Sequence, residues 1–499
     1  MTNSVSLPLW LLLLLVVLAA WAALERLLLP GMRWYFRKRV NVVINEVTTR
    51  LHLEIPQFTL TRRQVLIDRL FHDSKVQEAA DRHAAQHQIP RTVVLELVDR
   101  YAREIVPSFN AYIYFRIGYW VAKRVAQLIY RVRLGYTDEA GLAAIDPKSA
   151  VVFVMNHRSN MDYILVAFLA AEQSALSYAV GEWARIWPLH ALIRSMGAYF
   201  VRRNSGDPLY RIVLQRYVQM DTEAGVCQAV FPEGSLSIDG KLRKPKLGLL
   251  DYMLKTFNAN SGRDLVFVPV GINYDRVLED RTLLLKLKPG ARRRGAGRGA
   301  LTAMRFAGHN FRLMLLRRWH RFGYACVNFG TPLSMRDYAN ERAIDFSTLS
   351  ETARHDRVEH LADQLMNSIG AVIPVLPVSL VATAFLRCEQ QTMSELEIKA
   401  AVYRLSAELQ SKGAHVYVPR RDQDYAVSVG LRMLTLRAIV SKNDGLFSIA
   451  PAERPILTYY ANAVEHLFNR QVPAQPLAGR LHEQRASTAL LEQPAGAPD

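Results

Sequence analysis

The sequence predicts an α/β protein with a largely parallel central sheet flanked by helices. Three observations carry that expectation. Between Ala150 and about Thr331, short apolar runs recur: AVVFVM (150–155), GAYFVRR (197–203), CQAVFPEG (227–234) and LVFVPVGINY (265–274). Such runs suit strands buried on both faces. Segments with helical patterning, such as 189–196 and 210–223, separate them, and strand–helix alternation builds parallel sheets. Each run also ends in a polar or charged cluster, which marks one edge of the sheet as chemically active, because sites in such sheets lie beyond the carboxyl ends of the strands.

Taken in chain order, five regions are expected. Residues 1–39 form a membrane anchor with a basic flank. The run LPLWLLLLLVVLAAWAAL (7–24) holds 18 residues without a charge, nearly enough for a helix to cross the hydrocarbon core. A cleaved signal peptide and an interfacial helix are the competing readings. No Lys or Arg precedes the run, whereas Arg26, Arg33, Arg37, Lys38 and Arg39 follow it. By the positive-inside rule, the downstream chain then lies on the cytoplasmic face, with a single pass through a membrane such as the bacterial inner membrane.

Residues 40–149 form a helical N-terminal region punctuated by Pro56, Pro90 and Pro107. Within it, AYIYFRIGYWVAKRVAQLIYRVR (111–133) interleaves aromatic and basic residues. That pattern fits either an anionic membrane interface or an ordinary core helix with its arginines outside. Residues 150–335 form the α/β catalytic domain, 336–473 a helical C-terminal region with a short strand at 415–418, and 474–499 a disordered tail rich in Ala, Pro, Gln and Glu.

Composition narrows the function. The 63 Lys and Arg exceed the 45 Asp and Glu to give a net charge of +18, which favours anionic partners: membrane lipid, nucleic acid or phosphorylated substrates. The three cysteines, Cys227, Cys326 and Cys388, are far apart, so a disulfide framework and a zinc ribbon are excluded. No metal or cofactor motif is present, and no G-x-S-x-G elbow. Residues 281–336 carry about a dozen Lys and Arg and no acid, with apolar residues such as Phe306, Phe311 and Trp319 around them, as in a basic helix lying on a membrane. No nucleic-acid recognition module is visible.

The first polar cluster carries the chemistry. Asn156-His157-Arg158-Ser159-Asn160-Met161-Asp162 follows the first strand. Ser159 or Asn160 can cap the next helix, so that the Asp162 carboxylate folds back onto one nitrogen of His157. The other nitrogen is then left basic, as deprotonating a substrate hydroxyl requires. An H-x4-D spacing is weak alone, but GAYFVRR, VFPEGSLSIDGKLRKPKLGLL and VFVPVGINYD follow it in order. This set resembles the glycerolipid acyltransferase family, and most closely its branch of bacterial glycerol-3-phosphate and peroxisomal dihydroxyacetone-phosphate acyltransferases. PVSLVATAFL (377–386) and LTYYANAVEHLF (457–468) extend the resemblance more weakly.

The resemblance implies an O-acyltransferase with His157 as general base and Asp162 orienting it. The acyl donor is acyl-CoA or acyl-carrier protein, no cofactor is needed, and the hydroxyl attacks the thioester directly. It further implies acceptor-phosphate binding by Arg202 and Arg203, and substrate contacts from Glu233, Gly234, Ser235 and Pro269. One departure stands out. The family's third block reads E-G-x-R-S-R, whereas this chain has Glu233-Gly234-Ser235-Leu236-Ser237-Ile238. Lys241 and Lys246, in the basic run just beyond, either supply the missing charge or belong to a solvated loop. The implied reaction is acylation of the sn-1 hydroxyl of glycerol 3-phosphate to lysophosphatidate for phospholipid synthesis. Acylation of lysophosphatidate is the alternative, and a non-catalytic lipid-binding protein is the alternative of another class.

Overall fold

The computed structural model describes residues 57–170, 176–181, 193–202, 205–260, 262–287, 321–390 and 392–470. The apolar run 7–24, Arg203, most of the basic stretch 281–336 and the tail 474–499 lie outside the described residues. Among the described residues, no helix is long and apolar enough to cross a membrane.

Eight strands form the main sheet: β1 (Arg131–Thr137), β2 (Ala150–Met155), β3 (Ser177–Val180), β4 (Ala198–Phe200), β5 (Gln228–Val230), β6 (Leu265–Tyr274), β7 (Tyr324–Phe329) and β8 (Leu333–Ser334). Their order is β1-β7-β6-β2-β5-β3-β4, with β8 beside β6. The half from β6 to β4 is parallel throughout. β7 and β8 run antiparallel to β6, and β1 runs parallel to β7. The carboxyl ends of β2, β3, β4, β5 and β6 therefore share one edge.

Twelve helices matter here. The first seven are α1 (Arg63–Phe71), α2 (Ser74–His87), α3 (Arg91–Ile105), α4 (Tyr119–Ile129), α5 (Met161–Ala170), α6 (Pro208–Glu223) and α7 (Gly248–Leu254). The rest are α8 (Glu351–Val372), α9 (Pro377–Arg387), α10 (Glu395–Ser411), α11 (Gln423–Leu436) and α12 (Arg454–Phe468). Strand side chains alternate between two apolar layers, as the pleat demands. Ala150, Val152 and Val154 of β2 join Leu265 and Phe267 of β6 in a layer covered by α1–α3 and α6–α8. Phe153 and Met155 join Val268, Val270, Ile272 and Tyr274 in the layer covered by α4, α5 and α9–α12. All ten residues of β6 are buried, which explains its continuous apolar reading.

Pro269 sits inside this central strand without breaking it. On one side it pairs with Val154 of β2. On the other it falls between the β8 pairing at Val266 and Phe267 and the β7 pairing that starts at Val270. There its missing N–H costs no ladder bond, and its carbonyl accepts Gly330 N–H at 2.8 Å.

Several elements differ from expectation. β1 lies in the stretch read as helical, so the sheet begins before Ala150. The expected strand over 227–234 is only β5, after which the chain turns. The 415–418 strand is a single bridge between Val375 and Val416. The C-terminal region carries instead a three-stranded antiparallel sheet of Thr392–Ser394, Val440–Asn443 and Leu446–Ile449.

Candidate active site

The site grows from the carboxyl end of β2. Asn156 locks the strand to β6, its amide donating to Ile272 C=O at 2.9 Å and accepting Ile272 N–H at 2.7 Å. His157 follows, and α5 places Asp162 in its first turn. The His157 Nδ1 and Asp162 Oδ2 atoms are 2.9 Å apart. The same oxygen accepts the backbone N–H groups of Arg158 and Ser159 at 2.7 and 3.0 Å, while Oδ1 accepts the Tyr274 hydroxyl at 2.5 Å. With Nδ1 donating into this carboxylate, Nε2 is the nitrogen left to take a proton. The imidazole stacks on Phe231 at 4.1 Å between centroids and meets Tyr163 edge-on.

Two carboxylates hold the turn, Glu233 buried and Glu279 half-buried. Glu233, just beyond β5, accepts His157 N–H at 2.8 Å with one oxygen and Arg243 N–H at 3.1 Å with the other. Burial pushes this carboxyl up to about 7, with those two N–H groups opposing the shift. Glu279 accepts the Ser159 hydroxyl at 2.7 Å, Asn160 N–H at 3.2 Å and the Asn160 amide at 2.9 Å. Burial also raises the Glu279 carboxyl, again against these donors. Glu233 is therefore a brace for the histidine backbone rather than a group lining the cavity.

His157 opens onto a cavity of about 430 Å³ between the ends of β3, β4 and β5. Arg202, Arg211 and Lys246 line it and no carboxylate does, among the described residues. Arg202 is already engaged. Its guanidinium grips Glu104 with two bonds of 2.9 and 2.6 Å and faces the rings of both Tyr101 and Tyr210; the hydrogen bonds to Glu104 raise its pKa. Arg211 and Lys246 are exposed at the mouth and pair with no carboxylate among the described residues. Gly234 lines the same cavity with a left-handed φ of +67°, and a Cβ there would meet the Lys246 Cδ at 2.8 Å.

A second cavity, of about 260 Å³, adjoins the first through Tyr163 and Val180. Its walls are mostly apolar, with Val121 and Val125 from α4, Met161 and Ile164 from α5, and Tyr178 and Met196, while Asn160 and Glu279 reach its edge.

The other expected site residues lie elsewhere. Lys241 pairs with Glu465 at 2.8 Å on the surface. Ser235 accepts from the Arg243 guanidinium, and Pro269 is a strand residue. Leu236 and Ile238, where the family has arginines, pack against the apolar layer of the C-terminal helices. Arg211, Tyr274 and Glu279 are site residues that the motif reading did not single out. Tyr274 lies near the end of the fourth quoted block, and Arg211 begins the second turn of α6; only the fold brings them to His157.

A histidine held by a buried carboxylate beside a cationic cavity is the arrangement that the resemblance to H-x4-D acyltransferases implies. Residues 138–273 match the acyltransferase family model. Residues 311–472 match the model for the glycerol-3-phosphate acyltransferase C-terminal region. Its relatives include proteins named glycerol-3-phosphate acyltransferase from Aeromonas hydrophila subsp. hydrophila, 26% identical over 419 residues, and from Pseudomonas entomophila, 26% identical over 446 residues. Those alignments cover 82% and 87% of this chain but 50% and 52% of the relatives. The chain thus spans about half the length of the curated relatives it matches. A solved structure, the 1-acyl-sn-glycerophosphate (LPA) acyltransferase of Thermotoga maritima, is 19% identical with a TM-score of 0.29, covering 51% of this chain and 78% of that one.

Proposed function

We propose that this chain transfers a fatty acyl group from acyl-CoA or acyl-carrier protein to the sn-1 hydroxyl of glycerol 3-phosphate, giving lysophosphatidate. The observation that carries the reading is the His157–Asp162 pair facing a cavity whose charged walls, among the described residues, are cationic and which adjoins a mostly apolar one. In this scheme His157 Nε2 removes the hydroxyl proton as the oxygen attacks the thioester carbonyl carbon. The C–O bond forms, the C–S bond breaks, and the departing thiolate takes the proton from the imidazolium. Asp162 holds the ring in position and stabilises its charged form, as the buried carboxylate of a catalytic triad does. The apolar cavity suits the acyl chain, and the cationic one suits the phosphate.

The phosphate grip falls to Arg211 and Lys246, with Arg202 held in reserve behind Glu104. A guanidinium fork binds phosphate bidentately and an ammonium adds a point charge. An anionic membrane surface is the proposed setting on the cytoplasmic face. The apolar run 7–24 with its downstream arginines supports this, as do Ile117, Trp120 and Leu128, exposed on one side of a helical stretch beside Lys123 and Arg124. Residues 105–137 contain no acid.

The test is acyl transfer from palmitoyl-CoA, with glycerol 3-phosphate and lysophosphatidate as parallel acceptors. Product from the first acceptor, abolished in His157→Ala, is expected. Arg211→Ser should raise the acceptor KM about tenfold or more while kcat stays within about threefold, the pattern of lost uniform binding. Turnover of lysophosphatidate alone would move the chain to the second acylation, and a fully active His157→Ala would overturn the mechanism.

A further inference from the structure

The residues that touch His157 and Asp162 come from the acyltransferase region, yet the C-terminal region reaches the same turn from behind. Two consecutive residues of α12 do so. The Tyr459 ring lies 5.0 Å from the Arg158 guanidinium, next in chain to His157. The Tyr460 hydroxyl donates to Asp280 Oδ2 at 2.6 Å, and accepts Val277 N–H at 3.1 Å and Arg437 Nη1–H at 2.8 Å. Arg437, just past α11, sends its Nη2–H to the same Asp280 oxygen at 2.5 Å. Tyr460 and Asp280 are buried, and the Arg437 side chain keeps 9% of its exposure.

Asp280 is bonded in chain to Glu279, and Glu279 is the carboxylate that holds Ser159 and Asn160. Ser159 in turn gives its N–H to Asp162 Oδ2, the oxygen that orients His157. We infer that Tyr460, Arg437 and Asp280 are positioning residues for the acyl transfer: a buried relay by which the C-terminal region sets the Glu279 carboxylate, and through it the geometry of the His157–Asp162 pair. None of the three lines either cavity beside His157. The physical ground is that a half-buried carboxylate with three donors holds them firmly only if its own backbone is fixed. The loop from Asp275 to Glu279 is fixed by the Tyr460 hydroxyl at Val277 and by the ion pair at Asp280. Catalytic geometry tolerates little slack, so loosening this support is expected to lower turnover before it lowers binding.

This inference rests on the reading of His157 as the base, and the test separates the two. Tyr460→Phe removes one hydroxyl and keeps the ring in place. It is expected to lower kcat about tenfold, with the acceptor KM within about twofold. Glu279→Gln should lower kcat more, and the double variant should be no worse than Glu279→Gln alone, because both act along one route. Arg437→Lys, which keeps the charge and loses the fork, should fall between wild type and Tyr460→Phe. An unchanged kcat in Tyr460→Phe, or losses that multiply in the double variant, would overturn the relay. If Tyr460→Phe fails to fold, Ser159→Ala against Glu279→Gln tests the same chain of contacts with the same two outcomes. His157→Ala run alongside reports on the base itself. If it retains activity, the mechanism fails, while coupling between Tyr460 and Glu279 is still read from the cycle.

Discussion

Glu233 shows how much depends on one side chain that never faces the cavity. Each of its oxygens accepts a backbone N–H, one from His157 and one from Arg243. Gln in its place must turn an NH2 toward one of these donors, so Glu233→Gln leaves two hydrogens facing each other in a buried site. The expected result is a loss of about 2 kcal/mol of stability and a fall in kcat larger than any rise in acceptor KM, read by thermal melts and steady-state kinetics. Unchanged kcat would mean that the brace is dispensable. Asp221 offers a second test at this scale. Burial pushes its carboxyl up to about 7, above the value near 4 of an unfolded chain. A raised carboxyl stabilises the fold below about pH 4, and that contribution is lost as pH rises toward 7. Asp221→Asn should therefore raise stability at pH 8 by on the order of 3 kcal/mol and change it little at pH 4. An equal effect at both pH values would exclude the shift.

At the scale of elements, the loop after Gly234 explains the departure at 236 and 238. That loop is fastened to the His157 turn and to α12: the Arg158 guanidinium donates to Gly240 C=O, Asn462 donates to Asp239 C=O at 2.8 Å, and a Cβ on Gly240 would strike the Tyr459 carbonyl. Leu236 and Ile238 point into that junction, so arginine there has no phosphate to meet. Leu236→Arg is expected to cost on the order of 2–3 kcal/mol of stability and to leave the acceptor KM no lower. A lower KM with an unchanged melting temperature would show instead that the position faces substrate. The same comparison separates what was legible in the sequence from what was not. His157 and Asp162 are five residues apart on a strand–helix turn, so local patterning sufficed. Glu279 and Tyr274 reach them across more than a hundred residues, and no spacing rule joins such positions. β1 escaped because RVRLGYT is an edge strand with five of its seven residues exposed, and it lacks the apolar run that marks β2 or β6. Arg202 was found as a cation, but the Glu104 that occupies it comes from α3, in a region read only as helical.

Over the whole molecule, the two family regions share one core instead of forming separable domains. Val268, Val270, Ile272 and Tyr274 of β6 pack in one apolar layer with Val378 and Val381 of α9 and Leu457 and Tyr460 of α12. Polar groups of the sheet are also completed from the C-terminal side. Asn273 donates to Pro374 C=O at 2.9 Å, Asn328 donates to Val372 C=O at 2.8 Å, and the buried Asp275 accepts Val378 N–H at 3.1 Å. At Gly271 a Cβ would lie 2.3 Å from the Val372 carbonyl oxygen, so the segment after α8 lies directly against the sheet. A chain ending at residue 350 would uncover that whole layer. Exposing a large apolar side chain costs about 2 kcal/mol, and a dozen of them exceed the ~5–15 kcal/mol net stability of a typical domain. The shortened chain is therefore expected to aggregate or to lack a cooperative melt, while the full chain melts in one transition. Calorimetry and gel filtration in detergent decide the matter. A monomeric 1–350 chain with its own sharp transition would show that the acyltransferase region stands alone and that α9–α12 only lean against it.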